Sequence, residues 1–316
     1  MEEIRQKMAN VEVSIITAAY NAEKYIADTI ESVQKQTFSN WEYIIADNGS
    51  TDRTVEVVKR FLSDLRIKFI SEPRKGKSFA RNAAFVNSQG KYIANIDADD
   101  LWRPDKLEKQ VALLRADFSV GLVYTGAILI DAQGKTRSVC TPADISRKPL
   151  HYLLTVGNPI IHSSVMIRRE VFSDGKYQDE TIERVDEQIV YLKTCLMFGK
   201  MGFISEPLTS YRVHIESEHS KGSVRGFCAG YEKGLTKFFQ RSSLPKEIEQ
   251  LKRPAYGTMF YLSASVGIQQ KKELGLCALY LLKSAWLRPS KIHYCMAQFG
   301  KLILSAFRQS QPAGTG

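Results

Sequence analysis

Along the first 120 residues short apolar, strand-like runs alternate with hydrophobic positions at helical spacing. Val13–Thr17 is a short β-branched run, the composition of a buried strand. Tyr25, Ile26, Ile30 and Val33 then recur at helical spacing and predict a helix over Ala22–Gln36. Trp41–Ala46 reads as a second strand ending at Asp47. After it, Ser50, Thr51 and Asp52 suit the start of a helix through Val55, Val58 and Leu62. Ile67–Ser71 predicts a third strand, Ser78–Asn87 a helix, and Tyr92–Ile96 a fourth strand. Pro104 then lies near the start of a helix through Leu107, Val111 and Leu114. Strands alternating with helices predict an α/β fold, a Rossmann-like and mostly parallel sheet flanked by helices. Ligands of such sheets bind beyond the carboxyl ends of the strands. Ala18-Ala19-Tyr20-Asn21, Asp47 and Asp97 all fall at such ends, so three clusters converge on one crevice.

Further along, the signals are sparser. Gly121–Asp131 reads as a strand followed by a turn at Ala132-Gln133-Gly134-Lys135, and residues 136–160 as irregular. Ser163–Arg168 predicts a strand and Val185–Phe198 a helix. From about Val224 the pattern is helical to a tail after Gln309 that is expected to be disordered. Three segments are expected. Residues 11–117 and 118–218 would form the two halves of one α/β domain over 1–218. Residues 219–316 would form a helical extension.

Composition narrows the class. The 316 residues allow one large domain or one and a half. The start, Met1-Glu2-Glu3-Ile4-Arg5, lacks the basic-then-apolar order of a secretory signal. No apolar run approaches the roughly 18 residues of a spanning helix. Five cysteines without a CxxC pair point to reduced thiols in a cytoplasmic protein. Net charge is +10, but it is not spread evenly. Residues 1–120 carry 18 basic and 18 acidic side chains, 121–218 carry 11 and 12, and 219–316 carry 15 and 4. The excess therefore belongs to one basic module, which argues against a general nucleic-acid surface. In that module Leu276, Leu279, Tyr280, Leu282, Trp286, Leu302, Ile303 and Phe307 interleave with Lys271, Lys272, Lys283, Arg288, Lys291, Lys301 and Arg308. Two structures fit: a helical hairpin with a basic outer face, or an amphipathic surface peripheral to the inner, anionic face of a membrane.

The candidate chemistry is concentrated at Ile96-Asp97-Ala98-Asp99-Asp100, after the fourth strand. Three carboxylates within four residues repel one another unless a cation or polar ligand compensates them. Hard divalent cations bind through one or two carboxylates plus substrate phosphates. A solvated turn with Asp100 capping the next helix is the plainer alternative.

Five motifs in order carry a resemblance: Ser14–Asn21, Gln36-Thr37-Phe38, Asp47-Asn48-Gly49-Ser50-Thr51-Asp52, Gly76 to Ala80-Arg81-Asn82, and Asp97-Ala98-Asp99-Asp100. Together with Tyr211-Arg212-Val213-His214, they are similar to the inverting family 2 glycosyltransferases of the GT-A fold. The resemblance is dense over residues 11–117, thinner to residue 214, and without motif beyond 220. It implies that Thr17, Ala19 and Tyr20 line the nucleotide pocket. It also keeps Asp47 among the nucleotide-binding residues and puts Asn48 near the base, where the family usually has a second acid. An amide can accept or donate, so uracil remains compatible. Ser50, Thr51 and Asp52 are expected to cap the helix, and Asn21 to cap the preceding one beside the pocket.

The same resemblance sets Arg81 at the base or diphosphate, Asp99 on Mn2+ or Mg2+, and Asp97 on the ribose or the metal. Asp100 is open. The general base would be Asp186, at the start of Val185–Leu192, with Glu183 and Glu187 as neighbouring candidates. His162 or Ser164 would meet the acceptor or donor sugar, or be structural. His214 is either a third metal ligand or a loop histidine. The activity implied is metal-dependent transfer of a hexosyl or N-acetylhexosaminyl group, with inversion. The donor would be a nucleotide sugar, in first place a UDP-sugar, and the acceptor a hydroxyl of a glycan or lipid-linked glycan, as in cell-surface polysaccharide synthesis. A non-catalytic sugar-nucleotide-binding protein would lack the acids or the base. A nucleotidyltransferase would need a Gly-rich phosphate loop where Ala18-Ala19-Tyr20-Asn21 stands.

Overall fold

The computed structural model describes residues 11–182, 184–214 and 223–310, the last eight of them by backbone only. The chain forms two compact units. The first comprises Met1–Pro149, Pro159–Glu180 and Lys193–His214, and the second Leu150–Asn158, Thr181–Leu192 and Ile215–Gly316.

The first unit is built on one sheet. Its strands are β1 (Val13–Ala19), β2 (Trp41–Asp47), β3 (Ile67–Ser71), β4 (Tyr92–Asn95), β5 (Leu101–Trp102), β6 (Val120–Ile130), β7 (Thr136–Cys140), β8 (Met166–Arg168) and β9 (Lys200–Arg212). Their order is β3-β2-β1-β4-β8-β6-β9-β5, with β7 paired to β6. The first four run parallel. β8 is antiparallel to both β4 and β6, β6 and β9 are parallel, and β5 closes against β9 in the antiparallel sense.

Helices α1 (Ile26–Gln34), α2 (Thr54–Lys59), α3 (Lys77–Val86) and α4 (Lys106–Ala116) connect the strands. Successive strand residues face opposite sides. Val13, Ile15, Tyr43 and Ile45 therefore share a core with Ile26, Ile30 and Val33 of α1 and Leu107, Val111 and Leu114 of α4. Burial on both faces explains why β1 and β2 read as nearly continuous apolar runs. At register, Ala19 lies beside Asp47, so the ends of β1 and β2 are level.

Several expectations needed correction. The first helix begins at Ile26 rather than Ala22; a turn precedes it, in which the Ala22 carbonyl accepts from the Tyr25 and Ile26 N–H groups at 3.0 and 2.9 Å, and Asn21 before that turn is left-handed (φ 48°). Residues 136–160 are not wholly irregular; they contain β7 and a helix, α5 (Pro149–Thr155). Ser163–Arg168 is not one strand: a 3-10 turn over His162–Ser164 precedes the short β8. β9 had no counterpart in the sequence pattern. Its register with β6 shifts near Gly126, where Gly126 pairs with Pro207 and Ala127 with Thr209. Such bulges break the alternation that marks a strand.

α6 (Asp186–Phe198) gives its first seven residues to the second unit and the rest to the first. The second unit continues as α7 (Val224–Phe239), α8 (Lys246–Glu249), α9 (Lys252–Gln270), α10 (Leu274–Leu287) and, after a 3-10 turn at Pro289–Lys291, α11 (Ile292–Ser310). The expected disordered tail falls mainly on residues 311–316, outside the described residues. Ser223 caps α7, its hydroxyl accepting from the Gly226 N–H at 2.9 Å. α9 packs against α7, α10 and α11. Among the described residues no helix is long and apolar enough to cross a membrane.

Candidate active site

The loops after β1 and β2 are locked to each other. The Asn21 side-chain oxygen accepts from the Thr51 N–H at 2.8 Å, and the Asn21 N–H donates to the Ser50 hydroxyl at 3.0 Å. Asn21 therefore caps no helix, and Ser50 and Thr51 serve the β1 loop instead of α2. Asp52 does support α2: its carboxylate accepts from the Thr54 N–H at 3.0 Å, and also from the Glu23 N–H.

Ala19 is buried and Tyr20 is 62% exposed, while the Thr17 hydroxyl is engaged inside, donating to the Ile96 carbonyl at 2.6 Å and bonding the Tyr43 hydroxyl. Asp47 is buried. One of its oxygens accepts from the N–H groups of Gly49 and Ser50, each at 3.1 Å, and the other accepts no hydrogen bond among the described residues. The turn needs glycine at residue 49, whose φ is +80°. Asn48 acts as a clasp. Its amide donates to the Glu72 carbonyl (3.2 Å) and the Arg74 carbonyl (2.6 Å), and its oxygen accepts from the Gly76 N–H (2.8 Å). Its side-chain polar atoms thus hold the 72–76 loop ahead of α3.

The three carboxylates after β4 have three different surroundings. Asp97, half-buried, forms an ion pair with Arg81 of α3 at 2.8 Å, and its N–H donates to the Ser163 hydroxyl at 3.0 Å. Asp99 lies 2.8 Å from His214 Nε2. Burial first, and the Asp97 charge second, hold the Asp99 carboxyl above the ordinary carboxylate range, while the His214 contact opposes them. Asp100 is fully buried, and its carboxylate accepts from the Arg212 N–H at 2.8 Å. Burial, then the charges of Asp99 and Asp97, push it well above the usual range against the opposing Ser163 hydroxyl and Arg212 N–H. Asp100 is thus an interior strut.

Arg212 completes the cluster. Its guanidinium donates to the carbonyls of Asp99 (2.8 Å), Asp131 and Ala132 (both 3.2 Å) and lies 4.6 Å over the Tyr25 ring. The Tyr25 ring also meets the His214 ring, centroid to centroid at 5.3 Å. The first unit therefore brings together Thr17, Ala19, Tyr20, Asp47, Asn48, Arg81, Asp97, Asp99 and His214 at the carboxyl ends of β1, β2 and β4. Ser163 and Tyr25 escaped the sequence reading, Tyr25 because its helical spacing marked it only as core. Ser164 is buried, its hydroxyl donating to the Ile161 carbonyl at 2.7 Å. His162 opens the 3-10 turn and is half-buried.

Asp186 belongs to the second unit, where it is the first residue of α6 and is buried; Glu187 is half-buried. Glu183 lies outside the described residues. The helix start is fixed two residues on, where Gln188 donates to the Leu153 carbonyl at 3.0 Å and the Tyr231 hydroxyl at 2.5 Å. Arg184, just before, has φ +71°, a left-handed conformation costly for a side-chain-bearing residue.

A family model described as Glycosyl transferase family 2 matches residues 14–175. A Bacillus subtilis glycosyltransferase assigned to teichuronic acid biosynthesis is 36% identical over 211 residues, 64% of this chain and 79% of that protein. An Escherichia coli UDP-Glc:α-D-GlcNAc-diphosphoundecaprenol β-1,3-glucosyltransferase is 46% identical over 139 residues, 44% of this chain and 54% of its own length. Among solved structures, Staphylococcus aureus TarS 1–349 in complex with UDP-GlcNAc superimposes with a TM-score of 0.69 at 17% identity, covering 96% of this chain and 93% of that one. The Pyrobaculum calidifontis mannosyltransferase PcManGT, in complex with GDP-Man and Mn2+, gives 0.61 at 19% identity, covering 96% and 88%. The chain belongs to glycosyltransferase family 2, and its fold is the GT-A fold, a mostly parallel sheet flanked by helices with a C-terminal helical region.

Proposed function

We propose that the protein transfers a hexosyl or N-acetylhexosaminyl group, with inversion, from a UDP-sugar to a hydroxyl of a glycan or lipid-linked glycan in cell-surface polysaccharide synthesis, at the cytoplasmic face of the membrane. The carrying observation is the convergence of Asp97 and Asp99, one paired to Arg81 and the other to His214, at the carboxyl end of a parallel sheet. The unpartnered oxygen of buried Asp47 supports a pyrimidine donor, since it suits the N3–H of uracil. The TarS and Escherichia coli relatives, whose names carry UDP-GlcNAc and UDP-Glc, favour the same nucleotide. The latter's diphosphoundecaprenol acceptor favours a lipid-linked one here.

Among the described residues no group of three His, Cys, Asp or Glu side chains is arranged to cage a metal. Asp99 and His214, with Asp97 beside them, nevertheless suit Mn2+ or Mg2+, because such ions take their remaining ligands from phosphate and water. Bound there, the ion would offset negative charge on the departing diphosphate. Arg81 adds a fixed positive charge to the same cluster.

In the inverting step the acceptor oxygen attacks the anomeric carbon and the carbon–oxygen bond to the diphosphate breaks. The nucleoside diphosphate leaves with the electron pair, and Asp186 takes the acceptor's proton. A panel of nucleotide sugars, read by released nucleoside diphosphate and by the anomeric configuration of the product, tests this. UDP-sugars should be turned over in preference to GDP-sugars and give an inverted product. Retention of configuration, or turnover of no nucleotide sugar, would reject it.

A further inference from the structure

The strongest feature outside the donor site is a face of the second unit. In α10, Leu279, Leu282 and Trp286 recur at i, i+3 and i+7 and so share one side of the helix. They are 46%, 60% and 72% exposed, whereas Cys277, Tyr280, Leu281 and Ser284 take the inner side. The chain turns at Pro289–Lys291 and adds exposed Ile292, Tyr294 and Met296 at the start of α11. Arg253 stacks on the Trp286 ring at 5.2 Å, and Lys291 on Tyr294 at 5.5 Å, so cations rim the apolar groups. Between residues 252 and 302 the chain carries eight lysines and arginines and a single acid, Glu273. The Glu273 carboxylate is itself engaged by the Val224 N–H.

We propose that this face docks on an anionic lipid bilayer, with Leu279, Leu282 and Trp286 entering the headgroup boundary and Lys283, Arg253 and Lys291 meeting lipid phosphates. Charge complementarity selects the occupant. A large apolar stripe rimmed by basic residues is the pattern of an interfacial helix, and an indole favours the headgroup level. A second copy of the chain would bring like charge onto like charge. The surface deepens the proposed lipid-linked acceptor, since it would hold the enzyme where such acceptors lie.

Vesicle co-sedimentation of the full chain tests it without substrate. Vesicles containing about a third phosphatidylglycerol should bind the protein at least about tenfold better than phosphatidylcholine alone, and raising salt should erase most of the difference. Leu282→Glu with Trp286→Glu should weaken binding at least about tenfold, with the circular dichroism spectrum and sedimentation unchanged. Lys283→Glu with Lys291→Glu should remove the salt dependence. Equal binding to both vesicle types, or wild-type binding by the Leu282→Glu/Trp286→Glu protein, overturns the proposal. So does a protein that ignores vesicles but forms a dimer which Trp286→Glu dissolves. Nucleoside diphosphate release measured without vesicles reports separately on the transfer reaction.

Discussion

Buried polar side chains do different things in the two units. In the first they join elements far apart in sequence. Ser163 links to the Asp97 backbone, Arg212 to Asp99, Asp100, Asp131 and Ala132, and Asn48 to the loop at 72–76. Gln110 of α4 donates to the carbonyls of Val123 and Ser164. In the second unit, Thr258, Ser263 and Ser265 turn back on the carbonyls of Pro254, Met259 and Tyr261, four residues earlier in their own helix. Thr236, bonded to Tyr256, and Gln298, donating to Tyr261, do cross between helices, and so does Gln188, which stands two residues after Asp186. Directional bonds between elements fix angles as well as distances, which a reacting centre needs. Helices held by apolar and small side chains need only close contact. Substitutions in the first unit's network should therefore appear in kinetics, and substitutions in the second unit's packing should appear in stability.

The largest effect is expected at Asp99. Asp99→Ala removes the carboxylate shared with His214, and turnover should fall by at least about 10³-fold, the scale of losing a main electrostatic element of a transition state. Thermal stability should change little or rise, because a crowded carboxyl held above its ordinary range is costly to bury. Full turnover in excess chelator would remove the metal from the proposal.

Asp186 tests whether the second unit also carries chemistry. Asp186→Asn keeps the size of the side chain and removes the basic oxygen. Transfer should drop about 10²–10⁴-fold, with UDP affinity unchanged in calorimetry. Glu187→Gln should be nearly silent, since neighbouring helical residues diverge by about 100°. The reverse result would move the base by one residue.

Packing effects come next. A Cβ at Gly267 of α9 would stand 2.4 Å from Cys277 Sγ and 2.5 Å from Val224 Cγ2. Gly267→Ala should therefore cost about 1–3 kcal/mol in denaturant unfolding. Gly275→Ala in α10 meets nothing within 4 Å, and should be neutral or gain up to about 1 kcal/mol from helix propensity. Both proteins should release nucleoside diphosphate normally well below their unfolding temperatures. A slow but stable Gly267→Ala enzyme would blur the division between the units.

The same division explains what the sequence could and could not reveal. β1 to β4 and α1 to α4 announce themselves because each buries a regular stripe, and local periodicity carries that information. The acid cluster was visible for the same reason: its residues are adjacent in the chain. Its partners were not. Asp99 and His214 are 115 residues apart, and Arg212 meets Asp100 across 112, so only the folded sheet juxtaposes them. Asn48 shows the same limit, because nothing local says that the carbonyls of Glu72 and Arg74 will come within reach of its amide. In the helical unit, the stripes of α10 were legible, but which of them faces the core depends on α9.

The last effect is one of pH and concerns Lys106 of α4, a cation-forming group inside the first unit's network. It is fully buried, donates to Gln110 Oε1 at 2.7 Å, and sits 3.9 Å over the Trp102 ring. Burial lowers its pKa well below the usual lysine range. The unfolded chain, with a lysine near pKa 10.4, therefore binds more protons than the folded one at any pH between the two values. Stability must rise with pH across that window, by up to about 1.4 kcal/mol per pH unit from this group, and fall as pH drops toward the folded pKa. Lys106→Met should flatten that slope. It should also cost about 1 kcal/mol at high pH, where the neutral amine's bond to Gln110 is intact in the wild type. Because the slope is up to about 1.4 kcal/mol per pH unit, the two proteins should cross within about one pH unit below the unfolded lysine's pKa, and below the crossing the variant should be the more stable. Thr258→Val in α9 removes a buried hydroxyl with no charge to titrate, so its cost should be the same at every pH. Urea unfolding from neutral pH to about 10 measures both. An unchanged slope in Lys106→Met would mean that the lysine stays charged inside the fold, held by Trp102 and Gln110, and that the first unit's network tolerates a buried cation.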